Sequence, residues 1–164
     1  MSAPHIPESP DTPHIALLGH GFFWQDLQIG QKFRTFSRTI TETDLINFIS
    51  CTGMLEAIFI EEAYAAGAIP GRPVPGALTY TLIEGFILQT MIQGTGLAML
   101  ELTQKIHHPV CVGDTIHGAI TVTEIRPTSK NNRAVVNSDI RVLNQHGVEV
   151  MTYQAKRLLA GRPA

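Results

Sequence analysis

The chain has 164 residues, of which 16% are charged and 44% hydrophobic, with a formal net charge of −2. Average globular chains carry ~25% charged residues, so this one is lightly charged and evenly balanced. That excludes a basic nucleic-acid binder, which needs a large Lys/Arg excess, and global disorder, which needs low hydrophobicity with high net charge.

The length suits one domain. Residues 1–21 read as a flexible arm: Pro4, Pro7, Pro10 and Pro13 each fix φ and remove a backbone donor, which forbids a helix or a central strand. His5, His14 and His20 of the arm are too widely spaced for a metal site. The arm has no Lys or Arg, so it lacks the basic region of a signal peptide. Ordered structure is expected from Phe22, where Phe22, Phe23 and Trp24 form an aromatic cluster suited to a sheet edge or a partner. Ile29 and Gly30 turn the chain into a strand over residues 32–40. Thr41 and Asp44 have capping-box spacing, Leu45, Phe48 and Ile49 follow as an amphipathic stripe, and Gly53 closes the helix. Residues 55–60 are apolar except for Glu56, 61–66 read as a short helix, and 67–76 as a Gly/Pro-rich loop.

The longest helix is expected over residues 77–93. Leu78, Leu82 and Phe86 recur every four residues, as do Ile83, Ile87 and Met91. So broad a stripe is buried on most sides. Glu84, Gly85 and Gln89 interrupt it, and it falls short of the ~20 apolar residues that cross a bilayer. After Gly94 and Gly96 the period becomes two. Ala98, Leu100, Leu102 and Ile106 alternate with polar residues, then Ile116, Ile120 and Val122, then Ala134, Val136, Ile140 and Val142, then Met151, Tyr153 and Ala155. Half-buried antiparallel strands give this pattern. Turn-like links join them at 109–114, 127–132 and 144–147.

The fold class is α+β. A long buried helix needs a concave surface, which one curved antiparallel sheet wrapped around it supplies, as in the hot dog fold; this domain is placed at 22–160, with a tail at 161–164. The exposed edge of such a sheet favours a homodimer or larger assembly. Cys51 and Cys111 stand alone, without CxxC or metal-ligand spacing, as in a reduced protein. A soluble cytoplasmic protein without a membrane or nucleic-acid partner is expected, with no metal and no separate cofactor.

No P-loop, G-x-G-x-x-G, G-x-S-x-G or H-E-x-x-H occurs. Three regions carry a resemblance: "WQDLQIGQKFRTFSRTITETDLINFISCTG" from Trp24, "GRPVPGAL" from Gly71, and "PVCVGDTI" from Pro109 together with "RVLNQHGVEV" from Arg141. In this order they resemble the MaoC-like (R)-specific enoyl-CoA hydratase/dehydratase family over about residues 22–159. The resemblance implies an Asp and a His, five residues apart after the first helix, that activate one water. That water adds to an enoyl thioester or leaves a 3-hydroxyacyl thioester. A backbone N–H at the start of the central helix holds the thioester oxygen. Coenzyme A would enter only as part of the substrate.

At the two dyad positions this chain has Met54 and Phe59, which move no proton, and Pro75 stands before Gly76 where the family usually has His. Glu56 and Glu61 repeat the five-residue separation and are the candidate stand-ins. Glu56 lies in an apolar run, where loss of water would suit a carboxyl to acid–base work; the alternative is a solvent-facing or salt-bridged Glu56 and a helix-starting Glu61. Gly76 and Ala77 offer free N–H groups at a helix N-terminus with the dipole behind them. Arg72 is placed to meet a coenzyme A phosphate or to remain a solvated loop residue. Glu84 either pairs with a polar core partner or lines the pocket. Tyr80 reads as core, and of His107 and His108 at least one should face water. Three functions follow: a hydratase or dehydratase with altered acid–base residues; a non-catalytic acyl-CoA-binding subunit, alone or beside an active hot dog partner; and a thioesterase using Glu56, Glu61 or Glu84.

Overall fold

The computed structural model describes residues 17–61, 63–64 and 69–163. Residues 1–16, with most of the expected arm, lie outside the described residues, as do 62 and 65–66 of the expected short helix. A 3-10 turn at Trp24–Asp26 leads into strands β1 (Lys32–Arg34) and β2 (Arg38–Thr39) and helices α1 (Glu42–Thr52) and α2 (Ala57–Ile60). The central helix α3 (Gly76–Gln89) follows, then strands β3 (Gly96–Ile106), β4 (Thr115–Pro127), β5 (Arg133–Leu143) and β6 (Glu149–Ala160). The strands form one antiparallel sheet in the order β1-β4-β5-β6-β3, with β2 also on β4. This is the α+β hot dog arrangement.

The buried face of α3 carries Leu78, Ile83 and Ile87. They share one core with Ile116, Ile120 and Val122 of β4, Ile140 and Val142 of β5, and Met151, Tyr153 and Leu159 of β6. Each fully buried aliphatic side chain contributes about 1.5–3 kcal/mol. The three later strands therefore hold the phase read from their alternation.

Helix α1 has the expected caps. The Thr41 hydroxyl accepts the Asp44 N–H, the Asp44 side chain accepts the Thr41 N–H, and Gly53 ends the helix at φ 72°. Gly21 lies so close to the backbone of residues 91–93 that a Cβ would overlap it, and its N–H donates to the Gln93 carbonyl at 2.7 Å. The chain is thus already docked one residue before the expected start.

Three expectations need correction. The strand expected over 32–40 is interrupted, because one extra residue stands between the registers Arg34↔Ala119 and Arg38↔Ile116. Thr35 stabilises this bulge by donating its N–H to the Gly118 carbonyl (2.9 Å) and accepting the Gly118 N–H on its hydroxyl (2.8 Å). The central helix stops at Gln89, where the Thr90 hydroxyl donates back to the Phe86 carbonyl (2.6 Å) and the Ile92 N–H reaches Ile87. Strand β3 is exposed along all 11 residues, and register shifts at 96–98 and 99–101 break its alternation. Met99, not Ala98, consequently stands opposite the buried Arg157, while Leu102 and Ile106 keep the inward phase.

Candidate functional site

The segment before α3 is tied to the β3–β4 connection. Val74 N–H donates to Val110 (2.9 Å), Val112 N–H donates to Arg72 (2.8 Å), and Pro73 bridges Cys111. These bonds fix where the helix begins. Pro75 is its N-cap and supplies no side-chain cap; its carbonyl takes the Leu78 and Thr79 N–H groups. The Gly76 and Ala77 N–H groups have no acceptor among the described residues, and the positive end of the helix dipole lies behind them. A Cβ on Gly76 would overlap Ile106 Cδ1. Glycine therefore lets the end of β3 lie against the helix start.

One face of α3 continues from this point through Tyr80 to Glu84. Tyr80 meets the edge of the Tyr153 ring at 5.2 Å between centroids. Glu84, 7% exposed, takes Arg157 Nη2 on both carboxylate oxygens at 2.8 and 2.7 Å and the Tyr153 hydroxyl at 3.1 Å. Burial, then the Glu84 charge, push the Tyr153 hydroxyl far above its usual range, so it stays protonated and donates. Burial and Glu84 raise Tyr80 in the same way. A cavity of about 190 Å³ opens beside the pair, lined by Glu84, Arg157, Leu88, Ile92 and Met99.

The remaining sequence candidates lie apart from this face. Met54 is 42% exposed, and Phe59 is half-buried against the core. Glu56 and Glu61 flank α2, both exposed and without a side-chain hydrogen bond among the described residues. The apolar surroundings expected for Glu56 do not form among the described residues. The one-turn helix α2 turns Ala57, Ile58 and Phe59 partly inward and leaves Leu55, Glu56 and Ile60 outside. Arg72 donates from Nε and Nη2 to Glu42 Oε1 at 3.2 and 3.0 Å. His107 and His108 are both exposed, and His107 Nε2 meets the Thr152 hydroxyl at 2.8 Å.

Sequence reasoning missed Arg157 and Tyr153 as the partners of Glu84. The signal was the alternation of β6: Met151, Tyr153 and Ala155 face inward, and the next inward position is Arg157. A buried Arg demands a carboxylate, and Glu84 is the lone charge in 77–92. Among the described residues, no group of three or more His, Cys, Asp or Glu side chains could hold a metal ion, and no helix is long and apolar enough to cross a membrane.

Comparison with known proteins gives a consistent result. The family model "FAS1-like, dehydratase domain region" matches residues 27–153. An (R)-specific enoyl-CoA hydratase of Rhodospirillum rubrum is 28% identical over 109 residues, 66% of this chain and 74% of that protein. One from Aeromonas caviae is 26% identical over 132 residues, 80% of this chain and 94% of that protein. The unliganded structure of an (R)-hydratase from Pseudomonas aeruginosa superposes with a TM-score of 0.72 at 28% identity, covering 87% of this chain and 88% of that one.

Proposed function

Since the chain belongs to the FAS1-like dehydratase-region family of MaoC-like hot dog proteins, we propose that it binds an acyl thioester, as acyl-CoA, at the start of α3 without the usual dyad chemistry. The observation that carries this reading is the pair of N–H groups at Gly76 and Ala77 that have no acceptor among the described residues, at a helix N-terminus whose position is fixed by the 73–74 and 110–112 backbone bonds. Such donors suit the carbonyl oxygen of a thioester and would stabilise the negative charge it gains on enolisation. That half of the machinery needs only backbone and does not depend on the side chains at positions 54 and 59. The other half needs a group that takes and returns a proton, and neither Met54 nor Phe59 has one.

Hydration by stand-in carboxylates is the second reading. It rests on Glu56 and Glu61 standing at the dyad's own separation, and is weakened by their exposure, which denies both carboxyls the loss of water that would suit them to acid–base work. Thioester hydrolysis through Glu84 is weakened, because both its oxygens are already engaged by Arg157 and one also by Tyr153. Assembly is part of the proposal. The outermost strand β3 leaves Leu97, Met99, Leu100, Leu102 and Ile106 exposed, and pairing with a second copy or an active hot dog subunit would cover them.

The test follows a medium-chain enoyl-CoA with the purified chain by calorimetry and by absorbance of the conjugated thioester. Saturable binding with no hydration above buffer is expected. Hydration that disappears in both Glu56→Gln and Glu61→Gln would replace this reading with the second, and release of free thiol would replace it with the third.

A further inference from the structure

Four of the chain's seven phenylalanines, Phe22, Phe33, Phe36 and Phe86, line one groove of about 320 Å³ between β1 and the C-terminal end of α3. The Phe22 and Phe33 rings lie 5.3 Å apart between centroids, and Phe22 is 38% exposed. Phe36, beside Thr35 in the bulge that follows β1, is 76% exposed. Rings this open, gathered on one side of a lightly charged molecule, mark a surface that a further group covers. Arg34 lines the same groove. It donates to the Ser37 hydroxyl at 3.3 Å and has no carboxylate partner among the described residues.

The residues that lead into this groove have the matching chemistry. The described structure begins at Leu17, three residues before His20, which lines the groove. Residues 8–13 lie outside the described residues and hold Pro10 and Pro13 together with Glu8 and Asp11. At ~3.1 Å per residue in a polyproline helix, Pro10 is within about 22 Å of Leu17 and Pro13 within about 12 Å, so both can return to the groove. Such a helix has three residues per turn. Pro10 and Pro13 therefore share one of its faces, and Glu8 and Asp11 share another. Aromatic-lined grooves take Pro-rich segments in this form, because proline already holds the bound shape and little entropy is lost on docking. Charge agrees: residues 1–16 contain Glu8 and Asp11 and no Lys or Arg, opposite in sign to Arg34. Proline also lacks an N–H, so it can cover the β1 edge without adding a strand to the sheet.

We propose that residues 8–13 dock within the same chain into this aromatic groove. Pro10 and Pro13 seat against Phe22, Phe33 and Phe36, and the carboxylates of Glu8 and Asp11 turn toward Arg34. The docked segment closes the β1 edge of the sheet and leaves β3, at the opposite edge, as the strand free to pair with another subunit. This inference is independent of the thioester-binding reading.

The test is nuclear magnetic resonance on the full chain, with proline isotope-labelled and phenylalanine not. Filtered nuclear Overhauser spectra should show contacts from the Pro10 and Pro13 ring protons to the ring protons of Phe22, Phe33 and Phe36. In Phe36→Ser, whose side chain lies outside the core, the remaining contacts to Phe22 and Phe33 should be at least halved. Absence of any contact between these prolines and these rings in the unaltered chain overturns the proposal. Contacts to Phe22 and Phe33 that keep their full strength in Phe36→Ser also overturn it. A mixture of proline-labelled and phenylalanine-labelled chains separates the two possible sources of the segment. Contacts confined to one copy are expected, and contacts of equal strength between differently labelled copies would place the segment on a second copy and overturn the intramolecular assignment.

Discussion

Removing one member of the Glu84–Arg157 pair should cost far more stability than removing both. The two side chains are 9% and 4% exposed, and their bidentate contact at 2.7–2.8 Å is the main compensation each charge receives. In Glu84→Leu the guanidinium remains in the core with neither its carboxylate nor bulk water. Losing one partner of a buried pair costs about 3–5 kcal/mol, which in a domain of this size lowers the melting temperature by about 6–20 °C. Glu84→Leu/Arg157→Met replaces both charges with apolar groups of similar volume and is expected to lie near wild type or up to about 4 kcal/mol above it. Tyr153→Phe removes one hydrogen bond to the Glu84 carboxylate and should cost about 1.5–3 kcal/mol. Urea denaturation of the four proteins of the cycle, with Arg157→Met as the fourth, gives the coupling energy. Single variants within about 1 kcal/mol of wild type, or a double variant as unstable as the sum of the singles, would refute the reasoning.

Gly53→Ala should lower stability by about 1–2 kcal/mol in the same assay. The cause is φ at 72° alone, since no atom lies within 4 Å of the added Cβ. Burial works against the Asp44 carboxylate, but the Thr41 N–H and hydroxyl and then Arg38 outweigh it and hold its pKa below the ordinary 3.8. Its stabilisation is therefore complete above the unfolded value and is lost as pH falls through the lowered folded one. Urea midpoints between neutral pH and the acid range should show this loss, and Asp44→Asn should flatten it. Leu100→Lys on the exposed β3 edge should shift the protein toward monomer in sedimentation velocity; an unchanged distribution would remove that edge from the interface.

The parts of the fold that were legible in the sequence are those where one chain supplies its own periodicity and caps. The Thr41–Asp44 box, the Gly53 cap and the phases of β4, β5 and β6 all follow from local spacing, because α3 covers those strands within the same molecule. Strand β3 departs from its sequence alternation for two physical reasons. Two register shifts change its phase, and no element among the described residues covers it. The break at Thr35 depends on a hydroxyl bonded to Gly118, a contact between residues far apart in sequence. At the site, the backbone donors of Gly76 and Ala77 could be located from the start of the helix. The surroundings of Glu56 could not, because a four-residue turn decides which side faces the core. Arg157 is the next inward position of the same period-two pattern after Met151, Tyr153 and Ala155.

Thermal melting of the purified chain with saturating medium-chain acyl-CoA, against free coenzyme A at the same concentration, tests the central claim most directly. A ligand at 100 times its Kd adds about 2.7 kcal/mol to the native state, so the acyl-CoA should raise the melting temperature by about 5–11 °C and free coenzyme A by clearly less. A melting temperature that acyl-CoA leaves unchanged would contradict the account.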